Sequence, residues 1–183
     1  MIEVEVKSRI KNIELLKVSL NKIGAVYINT QKQTDKIFGN PIFLDENTKV
    51  IEGGYSARIR QVDNDIELTF KEIIRKGGGL EIESRLNSIE SGTKFLSRLN
   101  FKEAFTLSKT RENYKHRDFS IAVDRVDLLG DFIEIEKLIV SDSEIRKARE
   151  ECISLMQKIM PDFEIVDAKY GDLMQDMINK TNA

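Results

Sequence analysis

The sequence has little of the chemistry on which many binding and catalytic sites depend. Its 183 residues include one cysteine, Cys152, one histidine, His116, two prolines and no tryptophan. A single cysteine excludes an intramolecular disulfide framework and a cysteine-rich zinc site. A single histidine excludes a metal site built on two histidines and argues against a histidine-based catalytic triad.

Long apolar segments are also missing. No run approaches the roughly 18 apolar residues of a membrane-spanning helix. The first five residues, Met1 to Glu5, lack the basic region and apolar stretch of a secretory signal. Because 40% of the residues are hydrophobic, a disordered chain is excluded as well. We therefore expect a soluble protein of a reducing compartment, with a cytoplasmic location and no membrane partner.

Charge of one sign is not in excess. Lys and Arg number 29 and Asp and Glu number 31, which gives a net charge of −2. A general binder of duplex nucleic acid normally carries a basic excess, because phosphate contacts supply most of its affinity. We therefore expect no duplex nucleic-acid partner.

Along most of the sequence, apolar and polar residues alternate with a period of two, which predicts strands. The length predicts one domain over residues 1–183, with strands up to about residue 140 and two helices over about 141–180. The predicted strands lie at about 2–7, 25–38, 56–62, 66–74, 79–86, 101–115, 118–127 and 131–140. Helical spacing predicts four helices, at about 13–23, 89–99, 141–160 and 170–178. Few crossover helices connect these strands, so we expect an α+β fold with a mostly antiparallel sheet.

Charged residues occupy alternate positions in most of these strands. Residues at i and i+2 share one face of a strand, so each strand presents a column of charge. The columns are segregated by sign, with Glu-x-Glu at Glu3/Glu5, Glu81/Glu83 and Glu134/Glu136. Basic pairs occur at Arg58/Arg60 and Lys109/Arg111. Further charges on these faces are Lys7, Lys71, Arg85 and Asp124.

Two interpretations of the columns are open. They could form the solvated face of an ordinary antiparallel sheet. Alternatively, eight strands could close into a barrel whose charged columns point inward and whose apolar faces lie under the helices. Carboxylate clusters suit hard divalent cations such as Mg²⁺ or Mn²⁺, and clusters of Arg and Lys suit phosphate oxygens. The sign segregation favours the second interpretation.

Five motifs in this order resemble the CYTH domain, or triphosphate tunnel metalloenzyme, family. This family includes class IV adenylate cyclases and thiamine triphosphatases. The opening Glu3-Val4-Glu5-Val6-Lys7 is similar to its ExExK signature. The other four are Ala57-Arg58-Ile59-Arg60, Leu68-Thr69-Phe70-Lys71, Lys109-Thr110-Arg111, and Asp124 to Glu136, which follows a D-x-V…LG-x-F-x-E-x-E pattern.

The resemblance implies a fold and a set of residue roles. The fold is a closed eight-stranded antiparallel β-barrel, a triphosphate tunnel, with helices packed on its outside. The implied metal ligands, for Mg²⁺ or Mn²⁺, are Glu3, Glu5, Asp124, Glu134 and Glu136. The implied phosphate-binding residues are Lys7, Arg58, Arg60, Lys71, Arg85, Lys109 and Arg111. We take Glu5, Lys7 and Lys71 as candidate catalytic residues, and the roles of Glu81 and Glu83 stay open.

Two further segments resemble the class IV adenylate cyclase branch. They are Gln33 to Phe38, with Ile37 where a tyrosine is common, and Ala168 to Leu173. The implied function is metal-dependent conversion of ATP to cyclic AMP and pyrophosphate. The alternatives are a thiamine triphosphatase or inorganic tripolyphosphatase and, in another class, a non-catalytic module that binds polyphosphate or nucleotide. The implied partner is thus a small triphosphate (ATP, thiamine triphosphate or tripolyphosphate), and a homodimer is compatible with the resemblance.

Overall fold

The computed structural model describes residues 2–74 and 80–181, which form eight strands and four helices. The strands are β1 (Ile2–Arg9), β2 (Val26–Gly39), β3 (Tyr55–Val62), β4 (Asp65–Glu72), β5 (Glu81–Arg85), β6 (Lys102–His116), β7 (Phe119–Val126) and β8 (Gly130–Ile139). The helices are α1 (Ile13–Lys22), α2 (Ile89–Arg98), α3 (Ile145–Ile159) and α4 (Tyr170–Thr181). The predicted α+β class and the predicted number of strands and helices are confirmed. Among the described residues, no helix combines the length and the apolar character needed to cross a membrane.

The eight strands form one sheet in the order β1-β8-β7-β6-β2-β3-β4-β5. The ladders of β8 with β1 and β7, of β7 with β6, and of β3 and β4 with their neighbours are all antiparallel, as predicted. The order begins at β1 and ends at β5, and closure of these strands into a barrel stays a prediction. β5 has only five residues, all of them exposed. Shortness and charge are features that keep an edge strand from pairing further.

Tertiary contacts divide the chain into two compact units. The first unit comprises Met1–Gln31 and Lys109–Lys169, and the second comprises Lys32–Ser108 and Tyr170–Ala183. Both β2 and β6 contribute residues to each unit, so the two units are not consecutive segments of the chain. That residues 1–183 form a single domain stays a prediction.

The core of the first unit is the apolar face of its strands covered by α1 and α3. The strands contribute Val6, Tyr114, Ile121, Val123, Ile133 and Ile135, and the helices contribute Leu16, Leu20, Cys152, Leu155, Met156 and Ile159. Cys152 is fully buried, and burial raises the pKa of its thiol to about 11. The thiol is therefore a protonated core group, in keeping with the apolar stripe of α3. The strand residues between these apolar positions carry the charges.

The second unit has its own core, built from β2, β3 and α2. Its buried members are Phe38, Ala57, Ile59, Leu96 and Phe101. Gly92 lets α2 approach β3 closely, since a Cβ there would lie 2.4 Å from Leu86 Cδ1 and 2.9 Å from Ile59 Cδ1. The helix therefore covers the apolar face of β3, and Arg58 and Arg60 lie on the opposite face.

The turn between β7 and β8 sets the register of two charged strands. Gly130 adopts a φ of +96° there, a backbone conformation that favours glycine. The turn pairs Val126 with Gly130 and, further along the ladder, Ala122 with Glu134. The charged side chains of the two strands are thereby aligned on one face.

A polar contact at the edge of the core links α1 to β6. Lys17 Nζ lies 2.8 Å from Glu112 Oε1, and the hydroxyl of Tyr114 donates to Glu112 Oε2 at 2.6 Å. Burial alone would raise the pKa of Glu112, but the hydrogen bonds from Lys17 and Tyr114 outweigh it and hold this pKa below its ordinary value of 4.5. The charged form of Glu112 therefore stabilises the folded state.

We expect Glu112→Gln to lower the free energy of unfolding at pH 7 by about 1 kcal/mol, the usual contribution of such a bond. A lowered folded-state pKa contributes stability above the ordinary pKa and loses it as pH falls below that value. The difference between the variant and the unmodified protein should therefore shrink as pH falls below 4.5. Urea unfolding at pH 7 and pH 3 measures it.

The control is Glu90→Gln, which makes the same charge change in a pair with Lys94 whose side chains are both about three-quarters exposed. It should change the free energy of unfolding by less than about 0.5 kcal/mol at either pH. An equal loss for Glu112→Gln at both pH values would contradict the proposed role of its charge.

Candidate functional site

Eight of the predicted site residues lie on β1, β6, β7 and β8, within the first unit. They are Glu3, Glu5, Lys7, Lys109, Arg111, Asp124, Glu134 and Glu136. On β1 the apolar residues Val4 and Val6 are buried, and the alternation turns the charged residues between them to the opposite face. The predicted column of charge on β1 is therefore confirmed as a local arrangement.

Asp124 is the most enclosed charged residue of this group. Its side chain is 0% exposed. Arg111 donates a forked pair of hydrogen bonds to it, from Nε to Oδ1 at 2.7 Å and from Nη2 to Oδ2 at 2.6 Å, and Lys109 Nζ donates to Oδ2 at 3.1 Å. Burial alone would raise the pKa of Asp124, but these two cations hold it below its usual range. Both carboxylate oxygens are thus bonded to cations of β6.

Glu134 is also neutralised by cations. Arg111 Nη2 donates to Glu134 Oε2, and Lys7 Nζ lies 3.9 Å from Glu134 Oε1. Lys7 is directly opposite Glu134 in the ladder between β1 and β8. Lys7 also lies 3.9 Å from Glu5 Oε1, so this buried lysine serves two carboxylates.

Glu5 and Glu136 form the like-charged contact of the ladder between β1 and β8, where they lie directly opposite each other. Like charges in this position destabilise a sheet unless a cation compensates them. The pKa of Glu5 is raised to about 7, first because surrounding protein atoms remove part of its hydration and then because Glu134 lies near. The pKa of Glu136 is also raised, by burial and then by Glu3. The charged forms of Glu5 and Glu136 are therefore less favourable here than in water, and their cationic neighbours do not fully compensate.

These carboxylates fit a hard divalent cation in chemistry, since Mg²⁺ and Mn²⁺ take oxygen ligands and would supply the missing positive charge. Within residues 2–74 and 80–181, no group of three or more His, Cys, Asp or Glu side chains is arranged to hold a metal ion. The metal-ligand roles of Glu3, Glu5, Asp124, Glu134 and Glu136 therefore stay a prediction.

A cavity of about 250 Å³ in the first unit is lined by part of this charged face. Arg111, Glu134 and Glu136 contribute to its wall, together with Asn113 and Ser120. A larger cavity, of about 550 Å³, lies against α3 and contains none of the predicted site residues. Three of the predicted site residues thus line the smaller cavity.

The second unit holds a group of cations on β3, β4 and β5. Arg60 donates a forked pair of hydrogen bonds to Asp35 of β2, from Nε and Nη2, both at 2.7 Å. Lys71 Nζ lies 2.5 Å from Glu81 Oε2, and the two residues face each other across β4 and β5. Arg85 is exposed and lies opposite Glu67 in the same ladder. Every predicted phosphate-binding residue of this unit thus lies on one of three adjacent strands.

Arg58 differs from Arg60 in its partners. Its Nη2 donates to Thr69 Oγ1 at 2.9 Å, but its Nε is buried and has no hydrogen-bond partner among the described residues. Burial, followed by the nearby charge of Arg60, lowers the pKa of Arg58. A buried cationic donor without an acceptor is costly, and an anion would remove that cost. Among the described residues of this unit, Arg58 therefore gives the clearest indication of a binding position for an anion.

The sequence motifs did not assign a role to Asp35 or Thr69, the partners of the two arginines. Both lie in motif segments, but neither segment shows which residue of the next strand it will face. The register supplies this information, since Asp35 is opposite Arg60 and Thr69 is opposite Arg58. Its neighbours in the chain, Thr34 and Lys36, are polar, so no alternation of polar and apolar residues places Asp35 on the charged face.

Comparisons with known proteins agree with the motifs. A sequence profile described as "CYTH domain" matches residues 1–168. A protein of Methanocaldococcus jannaschii named "Putative adenylate cyclase" is 31% identical over 163 residues, which cover 87% of this chain and 90% of that protein. The solved structure of a conserved hypothetical protein from Pyrococcus furiosus is 30% identical with a TM-score of 0.71, covering 92% of this chain and 97% of that one. A structure from Hippeastrum, described as a "putative adenylyl cyclase" with "a dominant triphosphatase activity", is 14% identical with a TM-score of 0.68 and covers 96% of each chain.

The contrast between Arg58 and Arg60 predicts opposite effects of the same substitution on stability. Arg60→Met should lower the free energy of unfolding by about 2–4 kcal/mol, because it leaves the buried Asp35 carboxylate without its forked partner. Arg58→Met should be neutral or stabilising in the absence of ligand, because it removes a buried donor that has no acceptor. Urea unfolding of the two variants without phosphate or sulfate measures the difference. Equal losses for both variants would contradict this interpretation of Arg58.

Proposed function

The chain belongs to the CYTH domain family, and from this premise we propose that it is a divalent-metal-dependent enzyme acting on a small triphosphate. The family membership confirms the resemblance that the motifs showed. The proposed reaction is that of a class IV adenylate cyclase, in which ATP gives cyclic AMP and pyrophosphate. The Methanocaldococcus relative, which is named for adenylate cyclase, covers 87% of the chain and supports this choice. The cytoplasmic location and a homodimer remain predictions.

The observation that best supports an anionic substrate is the buried Nε of Arg58, which lacks an acceptor beside a second arginine. Phosphate oxygens accept hydrogen bonds from guanidinium groups through short, charge-assisted contacts. The residues that we propose as phosphate-binding are Lys7, Lys109 and Arg111 in the first unit and Arg58, Arg60, Lys71 and Arg85 in the second.

The acidic residues support a metal requirement. Glu5 lies opposite Glu136, and both pKa values are raised. We propose that Glu3, Glu5, Glu134 and Glu136 hold Mg²⁺ or Mn²⁺. When bound, the cation would neutralise charge on the phosphate chain and add to the electrostatic stabilisation of the transition state.

We propose that residues of the chain bind the substrate, orient it and stabilise the charge on its phosphate oxygens. In the cyclase reaction the ribose 3′-hydroxyl loses its proton to water, its oxygen forms a bond to the α-phosphorus, and the bond from that phosphorus to the leaving pyrophosphate breaks. Negative charge on the phosphate oxygens is stabilised by fixed cations, of which we propose Lys7 and Lys71 as catalytic. Lys7 is buried between Glu5 and Glu134, so its ammonium is held near the proposed metal ligands.

Hydrolysis of a triphosphate is the alternative reaction. Water would then attack the terminal phosphorus, the bond from that phosphorus to the bridging oxygen would break, and inorganic phosphate and the diphosphate would be released. The same cations and carboxylates would serve. Thiamine triphosphate and inorganic tripolyphosphate are the alternative substrates. The Hippeastrum structure is described by triphosphatase activity but shares only the fold with this chain, so the alternative rests on the common chemical requirements.

Product identification separates the candidate functions. The purified protein is incubated with ATP, tripolyphosphate or thiamine triphosphate, in the presence of Mg²⁺, Mn²⁺ or EDTA. Cyclic AMP and pyrophosphate from ATP would support the cyclase, whereas inorganic phosphate would assign a triphosphatase. Binding of all three compounds without any product would favour a non-catalytic module.

We expect Glu5→Gln to reduce turnover on the order of 100-fold or more, because it removes a proposed metal ligand. Arg60→Ala should chiefly raise KM, because it removes a phosphate contact. The control is Glu90→Gln, which makes the same change on the exposed surface of α2 and should leave both constants unchanged. Steady-state kinetics at saturating Mg²⁺ or Mn²⁺ measures these effects. Full activity in Glu5→Gln would falsify its assignment.

A further inference from the structure

Two acidic residues on the charged face of the first unit, Asp124 and Glu5, differ in exposure and in their partners. Asp124 is 0% exposed and receives the forked pair of bonds from Arg111 and a third bond from Lys109. Glu5 has 47% of its side chain exposed, and its ion pair within the described part of the chain is with Lys7 at 3.9 Å. Asp124 thus already has both oxygens engaged, whereas Glu5 is open to a ligand.

The second unit contains an aspartate that resembles Asp124. Asp35 is 5% exposed, and Arg60 bonds to both of its oxygens at 2.7 Å. The two pairs also share their place in the sheet, because Asp35 lies directly opposite Arg60 and Asp124 lies directly opposite Arg111. In each unit, a buried aspartate on the neighbouring strand therefore fixes an arginine of a phosphate-binding motif.

A forked pair of hydrogen bonds fixes a guanidinium in a way that one contact does not. The group is planar, so two bonds along one edge determine both its position and the direction of its plane. An arginine fixed before the ligand arrives loses less side-chain freedom on binding, and this gain in preorganisation appears as affinity. The cost is a reduced net charge, since the aspartate cancels part of the arginine.

We propose that Asp124 and Asp35 are positioning residues that hold Arg111 and Arg60 in the orientation needed to bind the phosphate chain, and that Asp124 is not a metal ligand. This inference rests on the proposed function for the identity of the anion. It gives Asp124 a different role from the metal-ligand role implied by its motif. The reason is that a metal would have to displace Lys109 and Arg111 from a carboxylate that has no exposed surface.

Anion binding without metal separates the two roles of Asp124. Near an anion site, loss of a carboxylate strengthens binding by simple electrostatics, so removal of a metal ligand should leave metal-free binding equal or tighter. Loss of a positioning residue has the opposite sign, because the arginine is no longer held. The direction of the change is therefore diagnostic.

The experiment is calorimetric titration of the full chain with tripolyphosphate in EDTA, for the unmodified protein, Asp124→Asn, Asp35→Asn and Glu136→Gln. We expect both aspartate variants to bind about tenfold or more weakly and Glu136→Gln to bind equally or more tightly. A parallel titration with Mn²⁺ should leave Asp124→Asn within about threefold of the unmodified protein and weaken Glu136→Gln. Glu136→Gln is the matched control, since it also converts one carboxylate of the charged face to an amide.

A purely structural role is distinguished by the fitted constants. The binding stoichiometry reports the folded fraction, and the Kd reports the folded molecules only. Asp124→Asn with reduced stoichiometry but an unchanged Kd would overturn the positioning role. Asp124→Glu keeps the charge and should recover part of the affinity.

Two other outcomes also decide the proposal. Asp124→Asn that binds tripolyphosphate at least as tightly and loses Mn²⁺ affinity would make Asp124 a metal ligand and overturn this inference alone. An unmodified protein that binds no tripolyphosphate would refute the proposed function and, with it, this inference. The unmodified protein thus reports on the function, and the variants report on the positioning.

Discussion

The structure depends on compensation of charge across the ladders of the sheet. A strand of period two places all its charges on one face, where each charge meets its cross-strand neighbour. The register pairs Arg111 with Asp124, Lys7 with Glu134, and Arg60 with Asp35. The exception among these motif residues is Glu5 opposite Glu136, where two carboxylates meet. The charged face is therefore balanced in most places and is left negative at one.

The same alternation links the site to the stability of the fold. On β8, Ile133 and Ile135 are fully buried in the core of the first unit, and Glu134 and Glu136 lie between and beyond them. A slip of the register by one residue would move the charges into the core and the isoleucines out of it. The hydrophobic effect on one face thus fixes which charges meet on the other. The arrangement of the site is a consequence of the packing beneath α1 and α3.

Local pattern made the strands, the helices and the columns of charge predictable from the sequence. It did not predict which columns would be neighbours, because register and strand order depend on contacts far apart in the chain. The role of Asp35 became visible only when the register placed it opposite Arg60. The burial of Arg58 Nε without an acceptor is likewise a three-dimensional fact. Closure of the strands into a barrel likewise depends on such long-range contacts and stays a prediction.

The two arginines of β3 show why a phosphate site uses one guanidinium fixed by a carboxylate and another that is not. Arg60, bonded to Asp35 through both oxygens, has a fixed plane but a charge that is partly cancelled. Arg58 donates to the neutral side chain of Thr69 rather than to a carboxylate, and its guanidinium is poorly hydrated. The first property gives orientation and the second gives attraction. One arginine cannot provide both, because a carboxylate that fixes a guanidinium also neutralises part of its charge. Two arginines on the same face of β3 therefore divide orientation and attraction between them.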